Sequence, residues 1–241
     1  MTVDAPPTPS AALAGLPERL AAVRGRIERA GGDPARVRLV AVTKGFGGDA
    51  VRAALAAGVT DLGESYVQEL EAKASDLIDA PDGPGGGDGA LPTWHFIGRL
   101  QRNKVRKAAP FVGLWHSVDR LSLGVEIARQ APGAAVFAQV NTTDEEQKGG
   151  CPPAMLPTLL DGLRDVGLDV RGLMTIGPAG DPEDARPAFR RLREMAGAHG
   201  LAELSMGMSS DLEVAVEEGA TMVRVGGALF GPRPDRPGMG H

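Results

Sequence analysis

Two stretches at opposite ends of the chain hold residue types that could do chemistry together. Near the start, Arg38-Leu39-Val40-Ala41-Val42-Thr43-Lys44 is an apolar, β-branched run that ends in a lysine. A lysine at the mouth of a buried strand does carbonyl chemistry when its amine is kept partly neutral. The plainer reading is a solvated charge just past a strand. Near the end, Ser205-Met206-Gly207-Met208-Ser209-Ser210 and Met222-Val223-Arg224-Val225-Gly226-Gly227 read as two halves of a phosphate cradle. Glycines let backbone N–H groups approach phosphate, and Ser209 and Ser210 add hydroxyl donors beside a helix start. Taken singly, each stretch reads as well as turn glycines and a helix cap. Together, a Schiff-base lysine and a phosphate cradle on one scaffold point to pyridoxal 5′-phosphate.

These groups meet only if the elements between them bring the two ends together. Leu13, Leu16, Leu20, Val23 and Ile27 recur three or four apart, which predicts a helix from Ala11 to Ala30, stopped by Gly31-Gly32. Strands are expected at Val37–Val42, Asp61–Glu64, Thr93–Gly98, Leu114–Val118, Ala135–Val140, Val170–Ile176, Glu203–Met206 and Met222–Val225. Helical patterns fall between them, with Asp49 as a cap for the first, an Asp181-Pro182-Glu183-Asp184 start for a later one, and a capping box at Ser210-Asp211-Leu212-Glu213. Eight strands alternating with helices predict an α/β fold, the (β/α)8 TIM barrel, with one extra N-terminal helix. A doubly wound open sheet is the rival, but no Gly-x-Gly-x-x-Gly follows the first strand. In a barrel the active site lies at the C-terminal strand ends, with phosphate held after strands seven and eight. That count puts Lys44 on the same rim, beside strand eight once the barrel closes.

A single domain is expected over residues 11–231, with disorder at 1–10 and 232–241. Residues 79–92, rich in Gly and Pro, read as a mobile surface loop. The net charge of −5 argues against a nucleic-acid partner, and no apolar run is long enough to span a bilayer. Residues 1–10 lack the basic start and apolar core of a secretory signal. The single cysteine, Cys151, fits a cytoplasmic location, and four scattered histidines offer no metal spacing.

Six stretches spanning nearly the whole chain carry a resemblance. They are Val40–Lys44, Gly63–Glu69, Trp94–Lys104, Gln139–Thr142 with Glu146–Gly150, Gly172–Gly177, and Leu204–Ser209 through Phe230-Gly231. Together they resemble the pyridoxal-phosphate homeostasis proteins, single-domain relatives of the alanine racemase barrel. The resemblance implies that Lys44 holds the cofactor as an aldimine and that Ser209, Ser210, Gly226 and Gly227 hold its phosphate. It also implies that Arg224 faces the pyridine nitrogen. An arginine stays protonated and cannot give that nitrogen a proton, so carbanion chemistry would be weakly supported. Met206, Asn141 and His95 are further candidates for the cofactor cavity, with Ser117 and Met174 at neighbouring strand ends; each is equally a packing residue. Lys104, Arg106 and Lys107 read as a solvated helix face, and Lys148 as a remote candidate for a second aldehyde-capturing amine. The chain departs from the usual family pattern at Gly45-Phe46-Gly47, Ser65, Arg99 and Gly227. Gly227 stands where a threonine is common, which leaves the cradle to rely more on backbone N–H groups.

Three functions remain open at this point. The favoured one is a monomeric carrier for intracellular pyridoxal phosphate homeostasis, with little or no turnover and with transient contacts to enzymes that use the cofactor. A racemase-like enzyme would need a second acid/base, for which only Tyr66 and an unconvincing Cys151 are present. A Schiff-base aldolase would use the same lysine and phosphate site without a cofactor.

Overall fold

The structure, a computed structural model, describes residues 13, 15–79, 92–143 and 145–232. The expectations of a disordered start, a mobile loop over 79–92 and a disordered tail fall outside these residues, apart from their edge positions. The strands are β1 (Arg38–Val42), β2 (Asp61–Glu64), β3 (Thr93–Phe96), β4 (Val112–Val118), β5 (Ala135–Gln139), β6 (Asp169–Met174), β7 (Glu203–Ser205) and β8 (Met222–Val225). They close into one barrel in sequence order. The seam is a parallel pairing of β1 with β8, in which Val40 lies opposite Arg224 and Ala41 opposite Val225. The helices are α1 (Leu16–Arg29), α2 (Gly48–Ala56), α3 (Val67–Ile78), α4 (Val105–Ala108), α5 (Leu121–Gln130), α6 (Leu156–Asp165), α7 (Arg186–Ala198), α8 (Leu212–Glu217) and α9 (Gly227–Phe230).

Periodicity explains these elements. In α1 the buried residues are Leu16, Leu20, Val23 and Ile27, one stripe of an amphipathic helix, with Pro17 in its first turn and Arg26 and Arg29 in its last. All five residues of β5 are buried, as expected of a parallel strand covered on both faces. Alternation sorts the core into two layers. Leu62, Phe96, Trp115, Leu173 and Val223 belong to the larger layer, and Val40, Leu114, Phe137, Met174 and Met222 form a separate cluster of their own. The second set is the barrel interior.

Two expected caps are absent. The residue before α2 is Gly47, with no side-chain cap, while Asp49 lies in the first turn and bonds the Ala50 N–H. The capping box at Ser210–Glu213 does not form either. Asp211 turns its carboxylate back to the Met208 N–H at 2.6 Å, and Glu213 pairs with Arg26 on α1. Asp181, by contrast, does accept from the Glu183 N–H at 2.9 Å. Strand three stops at Phe96 rather than Gly98, because the chain there presses against the β2 loop. A Cβ on Gly98 would lie 2.2 Å from the Ser65 carbonyl oxygen.

Gly172 in β6 shows how tightly the wall is packed. A Cβ there would lie 2.0 Å from the carbonyl oxygen of Glu203 on β7. Backbone of a neighbouring strand has little room to yield, so Gly172→Ala is expected to cost about 2–4 kcal/mol. Urea unfolding of the variant checks this; an unchanged midpoint would show that the wall relaxes.

Candidate functional site

Lys44 follows β1 directly. Val40 and Val42 both approach Gly63 from inside the barrel, and Lys44 continues their alternation from a half-buried position on the C-terminal rim. Its neighbours on both sides are pinned. The Thr43 hydroxyl donates to Glu64 Oε1 at 2.7 Å, and Lys73 Nζ donates to the Thr43 carbonyl at 2.7 Å and to Glu64 Oε1 at 2.6 Å. The Gly45 N–H donates to Glu69 Oε2 at 2.6 Å, which also accepts from Lys73 at 3.3 Å. The Lys73 and Glu64 side chains are 6% and 0% exposed. Burial pushes the Glu64 carboxyl up, and the Lys73 ammonium opposes the shift. This buried pair fixes the backbone from which Lys44 projects.

The loop after β8 meets the end of β1 across the seam. A cavity of about 400 Å³ is lined by Val42, Phe46, Gly226, Gly227, Gly231 and Pro232. A Cβ on Gly226 would sit 3.2 Å from the Val42 carbonyl oxygen, so glycine permits this close approach. A Cβ on Gly227 would meet nothing within 4 Å, so open space lies beside it. The Ser209 hydroxyl accepts from the Ala228 N–H at 3.3 Å, which joins the two loops. Gly207 supports the turn with φ +89°. The extra helix α1 holds both loops from outside. Arg26 donates to the Ser209 carbonyl at 2.9 Å and clasps Glu213, and Arg19 donates to the Leu229 carbonyl. A cradle of glycine and serine backbone beside a rim lysine fits a phosphorylated aldehyde.

Arg224 projects from β8 into the interior and is buried. Its Nη1 donates to the Ser205 hydroxyl at 2.7 Å and its Nη2 to the Thr175 carbonyl at 2.8 Å. Burial lowers its pKa to about 10, with Asp211 opposing, so the guanidinium stays charged at neutral pH. Behind it runs a line of bonded side chains. Ser205 Oγ meets His116 Nδ1, His116 Nε2 meets His95 Nδ1, and His95 Nε2 meets Asp61 Oδ1, each at 2.8 Å. Burial pushes the His116 pKa well below the usual histidine value, reinforced by His95, Arg224 and Arg38.

The seam thus sets Gly226 and Gly227 beside Val42, two residues before Lys44, with Ser209 tied to the same loop and Arg224 in the interior. Ser210 is on the same loop but exposed. Met206 is fully buried in the outer core layer, so its side chain packs against helices rather than into the barrel. Asn141 uses its side chain within its own loop, bonding Glu145 and Thr143, and lines a different cavity with Arg99 and Asp119. His95 is interior but separated from Arg224 by Ser205 and His116. Met174 lies in the interior cluster, and Ser117 donates to the Gly98 carbonyl at 2.5 Å. Lys148 is held by Glu145 and the Gly177 carbonyl. Burial raises the Cys151 thiol to about 11, which leaves it protonated. Lys104 lines a rim cleft with Tyr66 and Arg99, and Lys107 lies 3.6 Å from Glu71. Sequence reading missed Lys73, Glu64, Arg26, Ser205 and the His116–Asp61 line. One signal was present: Lys73 interrupts the apolar stripe of α3 between Leu70 and Leu77, where a solvated lysine does not belong.

A closed parallel eight-stranded barrel with helices between the strands is the fold of the alanine racemase class. The sequence pattern of the alanine racemase N-terminal domain matches residues 19–234. A pyridoxal phosphate homeostasis protein of Pseudomonas aeruginosa is 43% identical over 230 residues, covering 90% of this chain and 96% of that protein. The chain belongs to the family of pyridoxal phosphate homeostasis proteins. The structure of PipY from Synechococcus elongatus with pyridoxal phosphate bound is 37% identical, covers 89% of this chain and 99% of that one, and superposes with a TM-score of 0.75. Alanine racemase from Bacillus anthracis shares the fold, with a TM-score of 0.67 at 17% identity; the match covers 92% of this chain but 57% of the racemase.

Two outcomes are expected from the buried groups. Lys73→Met strands the Glu64 carboxylate and should cost about 3–5 kcal/mol, much of it recovered when Glu64→Gln is added. A double-mutant cycle by denaturant unfolding measures this coupling, and additive losses would refute it. His116, held neutral in the fold, titrates in the unfolded chain near pH 6.5. The unfolded state therefore binds more protons below that pH, and stability falls on acidification by up to about 1.4 kcal/mol per pH unit. Stability measured from pH 7.5 to 5.0 should show a shallower acid limb in His116→Gln.

Proposed function

We propose that this protein binds pyridoxal 5′-phosphate and serves cofactor homeostasis as a carrier rather than as a catalyst. The observation that supports the reading is the seam itself: it sets Val42, two residues before Lys44, against Gly226 at a cavity they line together with Gly227, and β8 carries Arg224 just before that loop. The cofactor, when bound, supplies an aldehyde that condenses reversibly with amines. Lys44 is the amine that would hold it. The Thr43–Gly45 backbone, fixed by Glu64, Glu69 and Lys73, sets the direction of that amine. Backbone N–H groups at Gly226 and Gly227, with the Ser209 and Ser210 hydroxyls, would receive the phosphate. Arg224 would present a remaining N–H to the ring nitrogen while keeping its own proton, which leaves that nitrogen without a positive charge and limits carbanion stabilisation.

The carrier reading is supported by what accompanies Lys44. Racemisation needs a second acid/base on the opposite face of the substrate. Cys151 is buried and protonated, and Tyr66 is half-exposed at the start of α3. Among the described residues no helix is long and apolar enough to cross a membrane. A monomer that meets its recipient enzymes transiently is the form consistent with this reading.

Added pyridoxal phosphate should give the purified protein a new absorbance band, and borohydride reduction should leave a pyridoxyl group on the peptide containing Lys44. Lys44→Ala should lose both while keeping its circular dichroism spectrum. An unchanged band in the variant would refute the assignment of Lys44. Rapid amino-acid racemisation by the wild type would refute the carrier role, and absence of any adduct would redirect attention to sugar phosphates.

A further inference from the structure

We infer that Ser205, His116, His95 and Asp61 form a one-way hydrogen-bond chain through the barrel that positions Arg224, with Asp61 at the opposite end of the barrel setting its direction. With both imidazoles neutral, the polarity follows from the two ends. A guanidinium only donates and a carboxylate only accepts. His95 Nε2 must therefore carry the hydrogen given to Asp61 Oδ1. In the neutral ring His95 Nδ1 is then an acceptor, so His116 Nε2 must donate to it. His116 Nδ1 is in turn an acceptor and takes the Ser205 hydroxyl hydrogen. The Ser205 oxygen is left with its lone pairs for Arg224 Nη1. Every hydrogen points away from Arg224 and towards Asp61, and no member lacks a partner.

The setting matches that role. His95 and His116 are 0% exposed, and their rings meet edge-on at 5.0 Å between centroids. His116 also packs on Phe137 at 4.9 Å, which fixes its plane. Burial, with His95, Arg224 and Arg38 acting in the same direction, holds His116 neutral; a neutral His95 is part of the proposal itself and is what the nitrogen-15 spectra read. Asp61 is 23% exposed and lines a small cavity of about 200 Å³ with Arg24, Arg38 and Thr60, at the end of the barrel remote from Lys44. The four residues act through Arg224 and are positioning residues. Their effect on a ligand rests on the reading that Arg224 faces the cofactor ring; the polarity of the chain does not.

The test begins on the protein without added cofactor. Nitrogen-15 spectra of histidine-labelled protein, assigned with His95→Gln and His116→Gln, should show both rings neutral and protonated on Nε2. Protonation on Nδ1 in either ring, or an imidazolium, overturns the chain. Asp61→Asn offers a donor as well as an acceptor, so it should shift the His116 signals towards the Nδ1–H form although it does not touch that ring. It should also weaken retention of pyridoxal phosphate about fivefold, the factor for roughly one net hydrogen bond, with the Lys44 adduct still formed. Asp61→Glu should restore both. Unmoved His116 signals, or unchanged retention, in Asp61→Asn would show that the residues only pack. Failure of the wild type to form a Lys44 adduct would instead refute the cofactor reading and leave the tautomer result standing on its own.

Discussion

The pairing of β1 with β8 is the constraint on which the rest of the molecule depends. It is the last closure of the barrel and joins residues 38–41 to residues 222–225. Closing so long a loop costs entropy that only the completed wall repays. Without that seam Lys44 and Gly226 belong to opposite ends of an open sheet. With it, the strand that ends just before Lys44 lies beside the strand that carries Arg224 and leads into Gly226-Gly227.

Around that corner the protein spends its polar groups on orientation. The Glu64–Lys73 pair lies in the layer between strands and helices, where a salt bridge offers little net stability but does fix geometry. The interior line from Arg224 to Asp61 does the same job on the other side of the wall. Its members are satisfied in sequence, so the barrel interior tolerates a charge and two imidazoles where a simpler barrel would pack aliphatic side chains. Both devices act on backbone or side-chain direction, and neither touches the cavity directly.

The architecture was legible in the sequence because its signals are local. The β2 and β8 boundaries agree with the expected ones, and the strand count alone put Lys44 on the rim beside strand eight. Caps were less legible. Asp49 and Ser210–Glu213 have the right residue types, but Asp211 and Glu213 found tertiary partners in Met208 and Arg26. Met206 was assigned to the site by its neighbours in sequence, whereas alternation turns its side chain outward. The interior chain was illegible for a different reason. Asp61, His95, His116 and Ser205 come from four strands, and their partnership is set by barrel register, which no single segment carries. Only the alternation of Trp94, His95 and Phe96 gave a hint, since it turned His95 to the opposite face from its aromatic neighbours.

The hold of α1 on the cradle has a temporal consequence. Arg19 and Arg26 are made early in synthesis, but the carbonyls they grip, at Leu229 and Ser209, are 210 and 183 residues away along the chain. Contacts of such high sequence separation form late, and a chain emerging from the ribosome lacks them until its final segments appear. A nascent chain presents Lys44 long before it owns the Gly226-Gly227 loop. The two sides of the Gly226-Gly227 cavity are therefore joined only at the end of translation, when first helix and last strand meet.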